Sequence, residues 1–213
     1  MRPSRALRLE RSDTRMHALL EAALEVFALR GYRTARLDDV ADAAGVTKGA
    51  IYHYFDTKEA LLIGVIEHYQ ALAFGRAEDA LREPGIPATA RIRLLLRKVF
   101  GHSDIGSRGR LLTLLLRGVA HEVPRVHERW LREGPARLWA MLASLVEEGK
   151  KSGEFRPDAD GEVGARVLVS GLMLQRMWQQ HAGEVPELAV DYDRLLDSSV
   201  ELFIASLRGT GGG

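Results

Sequence analysis

From Met16 onward, apolar residues recur at helical spacing and are interrupted by short breaks marked with glycine or proline. Met16, Leu19, Leu20, Ala23, Val26 and Phe27 form one stripe, with Ser12 or Asp13 available as a cap and Gly31 as a stop. Leu37, Val40, Ala41 and Ala44 then fall at i, i+3, i+4 and i+7, and Gly45 ends that helix. Thr47 is a good N-cap for a third helix over residues 48–55, which should bury Ile51 and Phe55. Its other face carries Lys48, Gly49, Tyr52 and His53. A short helix with one apolar side and one basic, aromatic and small-residue side suits the DNA major groove. Leu20, Phe27, Leu37, Val40, Ile51 and Phe55 are the expected common core.

Asp56 or Thr57 caps a fourth helix, whose stripe Leu61, Leu62, Val65, Ile66, Tyr69 and Leu72 continues toward Arg82 before Pro84, Gly85 and Pro87 break it. Helical patterns fill the rest. They cover residues 88–102, 110–121 after a Gly/Ser loop, 126–151 with a kink or break at Gly134-Pro135, 161–181 and 188–207. No strand pattern and no internal repeat is present. The expected fold is all-α with about nine helices, an N-terminal three-helix helix-turn-helix domain preceding a C-terminal helical bundle. Residues 1–12 read as a flexible basic arm, 13–57 as the helix-turn-helix domain, 58–207 as the bundle and 208–213 as a disordered tail.

Composition adds mostly exclusions. Lys plus Arg number 30 against 29 Asp plus Glu, so net charge does not announce a nucleic-acid partner. The basic character is local: Arg2, Arg5, Arg8 and Arg11 face only Glu10 in the first segment, where such an arm can touch phosphates or a minor groove. Cysteine is absent, which removes disulfides, thiolate metal sites and cysteine nucleophiles and fits a reducing cytoplasm. No secretory leader and no apolar run of membrane-spanning length is visible, so no membrane association is expected. No HExxH, GxSxG, phosphate-loop or dinucleotide pattern is found, so no enzyme and no cofactor is expected. His121-Glu122 and His127-Glu128 do not share a helical face, and Pro124 intervenes, so no metal is expected.

The run GYRTARLDDVADAAGVTKGAIYHYFDTKEAL, residues 31–61, resembles the DNA-binding domain of the TetR (tetracycline repressor) family of bacterial regulators. A bare helix-turn-helix is a weak signal, but Tyr-x-Tyr-Phe and Lys-Glu-Ala-Leu at fixed offsets make this one specific. Beyond it, only GEFRPDAD resembles a family segment, the loop before the last two helices. The resemblance implies a cytoplasmic homodimer that binds a double-stranded palindromic operator and responds to a small apolar or amphipathic effector. It implies DNA contacts from Thr47, Lys48, Tyr52, His53, Tyr54 and Lys58, with Gly49 where backbone and DNA come close. Arg36 stands where the family often has a capping threonine. Arginine cannot accept an N–H bond, so the cap is lost or moves to Thr34, while the guanidinium can reach a phosphate.

Each site residue has a plainer reading beside this one. Lys48 and Lys58 can be solvated lysines, but Lys58 sits in the first turn of a helix, where a cation opposes the dipole and a phosphate would relieve that. His53 is the larger side chain best placed for a base edge, or a plain exposed histidine. In the family the middle helices enclose the effector, which makes Phe100, His102, Leu115, His121, Trp130, Trp139, Leu142, Met173, Arg176 and Met177 pocket candidates. Met141, Trp178 and His181 are weaker ones, and for any single residue ordinary core packing competes. The last two helices pair between protomers in the family, and Val167, Gly171, Leu174, Trp178, Leu195, Leu196, Val200 and Phe203 are the expected dimer face. The leading expectation is a ligand-responsive repressor. The alternatives are an activator, or a helical ligand-binding or protein-interaction bundle whose helix-turn-helix does not function.

Overall fold

The computed structural model describes residues 5–81, 85–101 and 105–208, and among these every regular element is helical. Ten α-helices follow in order: α1 Arg5–Arg30, α2 Leu37–Ala44, α3 Lys48–Tyr54, α4 Lys58–Leu81, α5 Ala88–Phe100, α6 Ile105–Glu122, α7 Pro124–Leu131, α8 Arg137–Ser152, α9 Gly161–Trp178 and α10 Tyr192–Arg208. A single π-helical stretch, Arg132–Ala136, joins α7 to α8, so the two run as one uninterrupted helix. Pro135 is the cause: it cannot donate to the ladder, and the wider turn absorbs its ring. Counted that way, nine helical rods remain among the described residues, as the periodicity predicts.

Two boundaries differ from expectation. Helix α1 starts at Arg5, so most of the segment expected to be a flexible arm is helical. Ala6, Leu7, Arg8, Leu9 and Glu10 are strong helix formers, and nothing in that segment breaks the pattern. Residues 1–4 and the tail residues 209–213 lie outside the described residues. Helix α6 starts at Ile105, inside the expected Gly/Ser loop. Gly109 is helical and buried there, and a Cβ on it would sit 3.1 Å from the Arg176 guanidinium.

The chain divides into two compact units, residues 1–69 with 111–128, and residues 70–110 with 129–213. In the first, α1 packs on α2, and Leu20, Leu24, Phe27, Leu37, Val40, Ile51, Leu61, Leu62 and Val65 are buried. Phe55 is only half-buried, because it ends α3 in an extended conformation. Its ring lies against Gly64 of α4, where a Cβ would come within 2.6 Å of Cε1.

In the second unit α8 packs between α5 and α9, and α10 covers α5 and α9. The GEFRPDAD loop ties this unit together. Glu154 accepts hydrogen bonds from the Ala88 N–H at 2.7 Å, the Thr89 N–H at 3.1 Å and the Thr89 hydroxyl at 3.1 Å. The two N–H groups are orphan donors of α5, which Pro87 does not cap. Phe155 fills the space over Gly149, where a Cβ would lie 2.1 Å from its ring. The Arg156 N–H donates to the Leu207 carbonyl at 2.9 Å, tying the loop to the end of α10. Asp160 caps α9 by accepting from the Val163 N–H at 2.9 Å.

Candidate nucleic-acid interface

The turn between α2 and α3 is fixed by backbone chemistry. Gly45 adopts φ 64°, the left-handed conformation that closes α2. Its N–H donates to the Asp42 carbonyl at 3.2 Å and the Val46 N–H to the Ala41 carbonyl at 3.0 Å, the paired bonds of a Schellman motif. Thr47 then starts α3 by accepting from the Ala50 N–H at 3.2 Å. Thr57 does the same for α4, accepting from the Ala60 N–H at 3.0 Å, which decides between Asp56 and Thr57.

The start of α2 resolves differently from both sequence readings. Arg36 is the N-cap residue and its side chain caps nothing, yet the cap does not move to Thr34. Asp39, three residues on, reaches back and accepts from the Arg36 N–H at 2.9 Å. This is the returning half of a capping box without the forward half. That bond, with the Arg30 guanidinium alongside, holds the Asp39 carboxyl below the usual range. The Arg36 side chain remains exposed.

On α3, Ile51 is fully buried, and this single anchor fixes which residues face outward. Thr47, Lys48, Gly49, Tyr52 and His53 are all exposed, with Tyr52 at 48%. Tyr54 is half-buried, its ring edge-on to His53 at 5.2 Å between centroids. Lys48 Nζ lies 2.9 Å from an Asp38 carboxylate oxygen. Lys58 sits apart from that face in its contacts. Its Nζ donates to the Arg33 carbonyl at 3.2 Å and lies 4.5 Å above the Tyr32 ring. Partial burial lowers its pKa, opposed by the charges of Glu122 and Asp39.

A scan of family models matches residues 19–65 to the bacterial regulatory proteins of the tetR family. The repressor KstR2 of Rhodococcus jostii is 28% identical over 167 residues, spanning 78% of this chain and 80% of that protein. Residues 19–65 thus place the chain's helix-turn-helix segment with the tetR family. The repressor DhaR of a Mycobacterium species is 24% identical over 200 residues, spanning 90% of this chain and 96% of the other. The FadR regulator of Bacillus subtilis, solved in complex with stearoyl-CoA, shares the fold with a TM-score of 0.70 at 23% identity, over 90% of this chain and 99% of that one. A TetR-family chain is a DNA-binding, ligand-responsive transcriptional regulator, not an enzyme.

The expected effector residues separate. Phe100 and Leu142 belong to the buried core of the second unit, with Trp139 and Met173 packed at its margin. Arg166 stacks 5.3 Å over the Trp139 ring, and the Trp139 indole N–H is buried without an acceptor. Arg176 stacks 5.8 Å over Tyr192, while Met177 and Trp130 are half-buried. The Trp130 carbonyl accepts from the Gln70 amide at 3.3 Å. Leu115 is buried and His121 exposed in the first unit, and His102 lies outside the described residues. Among the described residues no three side chains are grouped to hold a metal ion, and no helix is long and apolar enough to cross a membrane.

The expected dimer face requires a correction. Leu196, Val200 and Phe203 are buried in the chain's own core and have no surface to offer a partner. The error is one of assignment: Leu196, Val200 and Phe203 belong, with Ile204 and Leu207, to the stripe of α10 that faces inward. Leu202, which the sequence reading omitted, is 72% exposed. On α9 the expected stripe is outward: Val167 at 70%, Leu174, Trp178 and the exposed Gly171, extended by Val163. Leu195 is half-buried.

Proposed function

We propose that the chain is a cytoplasmic repressor that binds a palindromic operator as a homodimer and releases it when a small apolar or amphipathic effector binds. The observation that carries the DNA part is α3. Buried Ile51 turns Thr47, Lys48, Gly49, Tyr52 and His53 outward together, a surface of a size and chemistry that fits the major groove. Arg36 and Tyr54 flank it as phosphate contacts, and Lys58 joins them if its ammonium leaves the Tyr32 ring. Residues 13–57 are the DNA-binding part, and 58–207 sense and dimerise. Half-buried Trp130, Met173, Arg176 and Met177 and the unpartnered Trp139 N–H support an effector site in the second unit. Val167, Gly171, Leu174, Trp178 and Leu195, with Leu202 added, are the dimer face. Dimerisation sets the two α3 helices about 34 Å apart, and an effector that prefers another spacing by a few kcal/mol shifts the population off DNA.

The test is a Tyr52→Ala, His53→Ala double variant. Both side chains are exposed, so the fold survives, which thermal melting checks. Operator binding by mobility shift should weaken by about tenfold or more, because base contacts contribute about 1–3 kcal/mol each. Wild-type affinity in a normally folded double variant would refute the DNA face.

A further inference from the structure

We propose that Asp38 determines DNA specificity, by holding the Lys48 ammonium so that a major-groove base wins it more readily than an arbitrary phosphate does. The proposal rests on α3 being the DNA face. Asp38 is in the first turn of α2 and Lys48 in the first turn of α3, and their ion pair spans the turn that Gly45 closes. A cation in the first turn of α3 opposes the helix dipole, and the Asp38 carboxylate offsets that. The Asp38 hydrogen bond and charge raise the Lys48 pKa, with smaller effects from Tyr52 and Arg36. Arg36, Asp38, Lys48 and Tyr52 therefore form one electrostatic patch around the start of the recognition helix.

The carboxylate has opposite consequences on the two kinds of DNA. On an arbitrary duplex, affinity comes from cations that displace counterions from phosphates, and a carboxylate bonded to Lys48 cancels about one of them. On a specific site, the ammonium has three hydrogens. One can stay on Asp38 while another meets guanine O6 or N7 in the major groove. Both partners are exposed, at 47% and 59% of their side chains, so the pair is also cheap to rearrange. Asp38 thus weakens indiscriminate binding more than specific binding, and it orients Lys48 for the latter.

The experiment compares duplexes selected from a randomised pool by the wild-type protein with random duplexes of the same length, by fluorescence anisotropy across a salt series. Asp38→Asn should tighten binding to random duplex about two- to five-fold per chain. It should steepen the salt dependence there by about 0.9 per chain, change the selected duplex less, and so lower the specificity ratio. Asp42→Asn, which removes the same charge from α2 but no bond to Lys48, should leave the ratio unchanged. In a Lys48→Gln background the Asp38→Asn effect on the ratio should vanish. Equal tightening on both duplexes, or an effect that persists without Lys48, overturns the proposal. If the wild-type protein enriches no duplex and binds random DNA without salt dependence, the DNA reading itself falls and takes this proposal with it.

Discussion

Glu154→Ala removes a carboxylate that accepts four bonds, three of them from the start of α5. The Ala88 and Thr89 N–H groups and the Thr89 hydroxyl all donate to this carboxylate, and Ala88 and Thr89 are both buried. With alanine, the first turn of α5 loses the side-chain cap that Glu154 gives it, and Pro87 supplies none. A lost cap costs about 0.5–2 kcal/mol, and a buried donor left unpaired about 1–3 kcal/mol. The carboxylate is only part-buried and water can reach some of the vacated donors, so the lower half of the combined range applies, about 2–3 kcal/mol. For a chain of this size that is roughly 4–12 °C in Tm. Scanning calorimetry at fixed protein concentration is the assay, because a dimer's Tm depends on concentration. Glu154→Gln keeps one acceptor oxygen and should lose about half as much. Burial alone would raise the Glu154 pKa, but the bonds from Ala88, Thr89 and Ser152 outweigh it and hold the carboxyl low. A lowered folded-state pKa means stability that is fully present above the ordinary glutamate value of 4.5 and fades as pH falls through the folded-state titration. The gap between wild type and Glu154→Gln should therefore close in acid below that value. A Glu154→Ala protein melting within a degree of wild type at neutral pH would refute the clamp.

Two further outcomes follow from packing. Gly149→Ala forces the Phe155 ring out of its seat and should cost about 1–3 kcal/mol, whereas Gly171→Ala, with open space around it, should cost less than about 1 kcal/mol in the isolated chain. Urea unfolding of both variants checks the contrast. Val167→Glu places a charge on the exposed α9 stripe without disturbing the core, and should shift sedimentation from dimer to monomer while the helix content by circular dichroism stays constant. An unchanged dimer would remove α9 from the interface.

Periodicity was enough for the helices because each carries a single stripe and a marked stop, such as Leu37, Val40 and Ala41 before Gly45. It failed at two kinds of place. Gly106, Ser107 and Gly109 look like a loop locally, but they are helical, and Gly109 lies against the Arg176 guanidinium, a long-range fact. In α10 the residues Tyr192, Leu196, Val200, Phe203, Ile204 and Leu207 form one apolar stripe, and the sequence reading assigned part of that stripe to a partner. Only packing on α5 and α9 decides that Val200 faces inward and Leu202 outward. The site divided the same way. One buried residue, Ile51, oriented the exposed face of α3, and that was legible. Asp39 was legible in principle, since an acid three residues after an N-cap has capping-box spacing, but the arginine at the cap hid the signal.

Lys58 shows where a sound electrostatic premise supports less than it suggests. A lysine in the first turn of α4 opposes the helix dipole, and a phosphate is one remedy. The structure supplies others within the chain. Thr57 already satisfies one orphan N–H, Glu59 adds a carboxylate to the same turn, and the Tyr32 ring and Arg33 carbonyl receive the ammonium. Glu122, which also accepts from the Arg33 N–H at 2.7 Å, adds a favourable charge. With the unfavourable position compensated internally, the lysine alone no longer argues for a phosphate. To reach one, its ammonium must exchange the ring and carbonyl for DNA, and that exchange weakens the link between the loop before α2 and the first turn of α4. Lys48 has no such internal seat. Among the described residues its bonded partner is a carboxylate on the same exposed surface, so the weight of the DNA argument moves from the start of α4 to the start of α3.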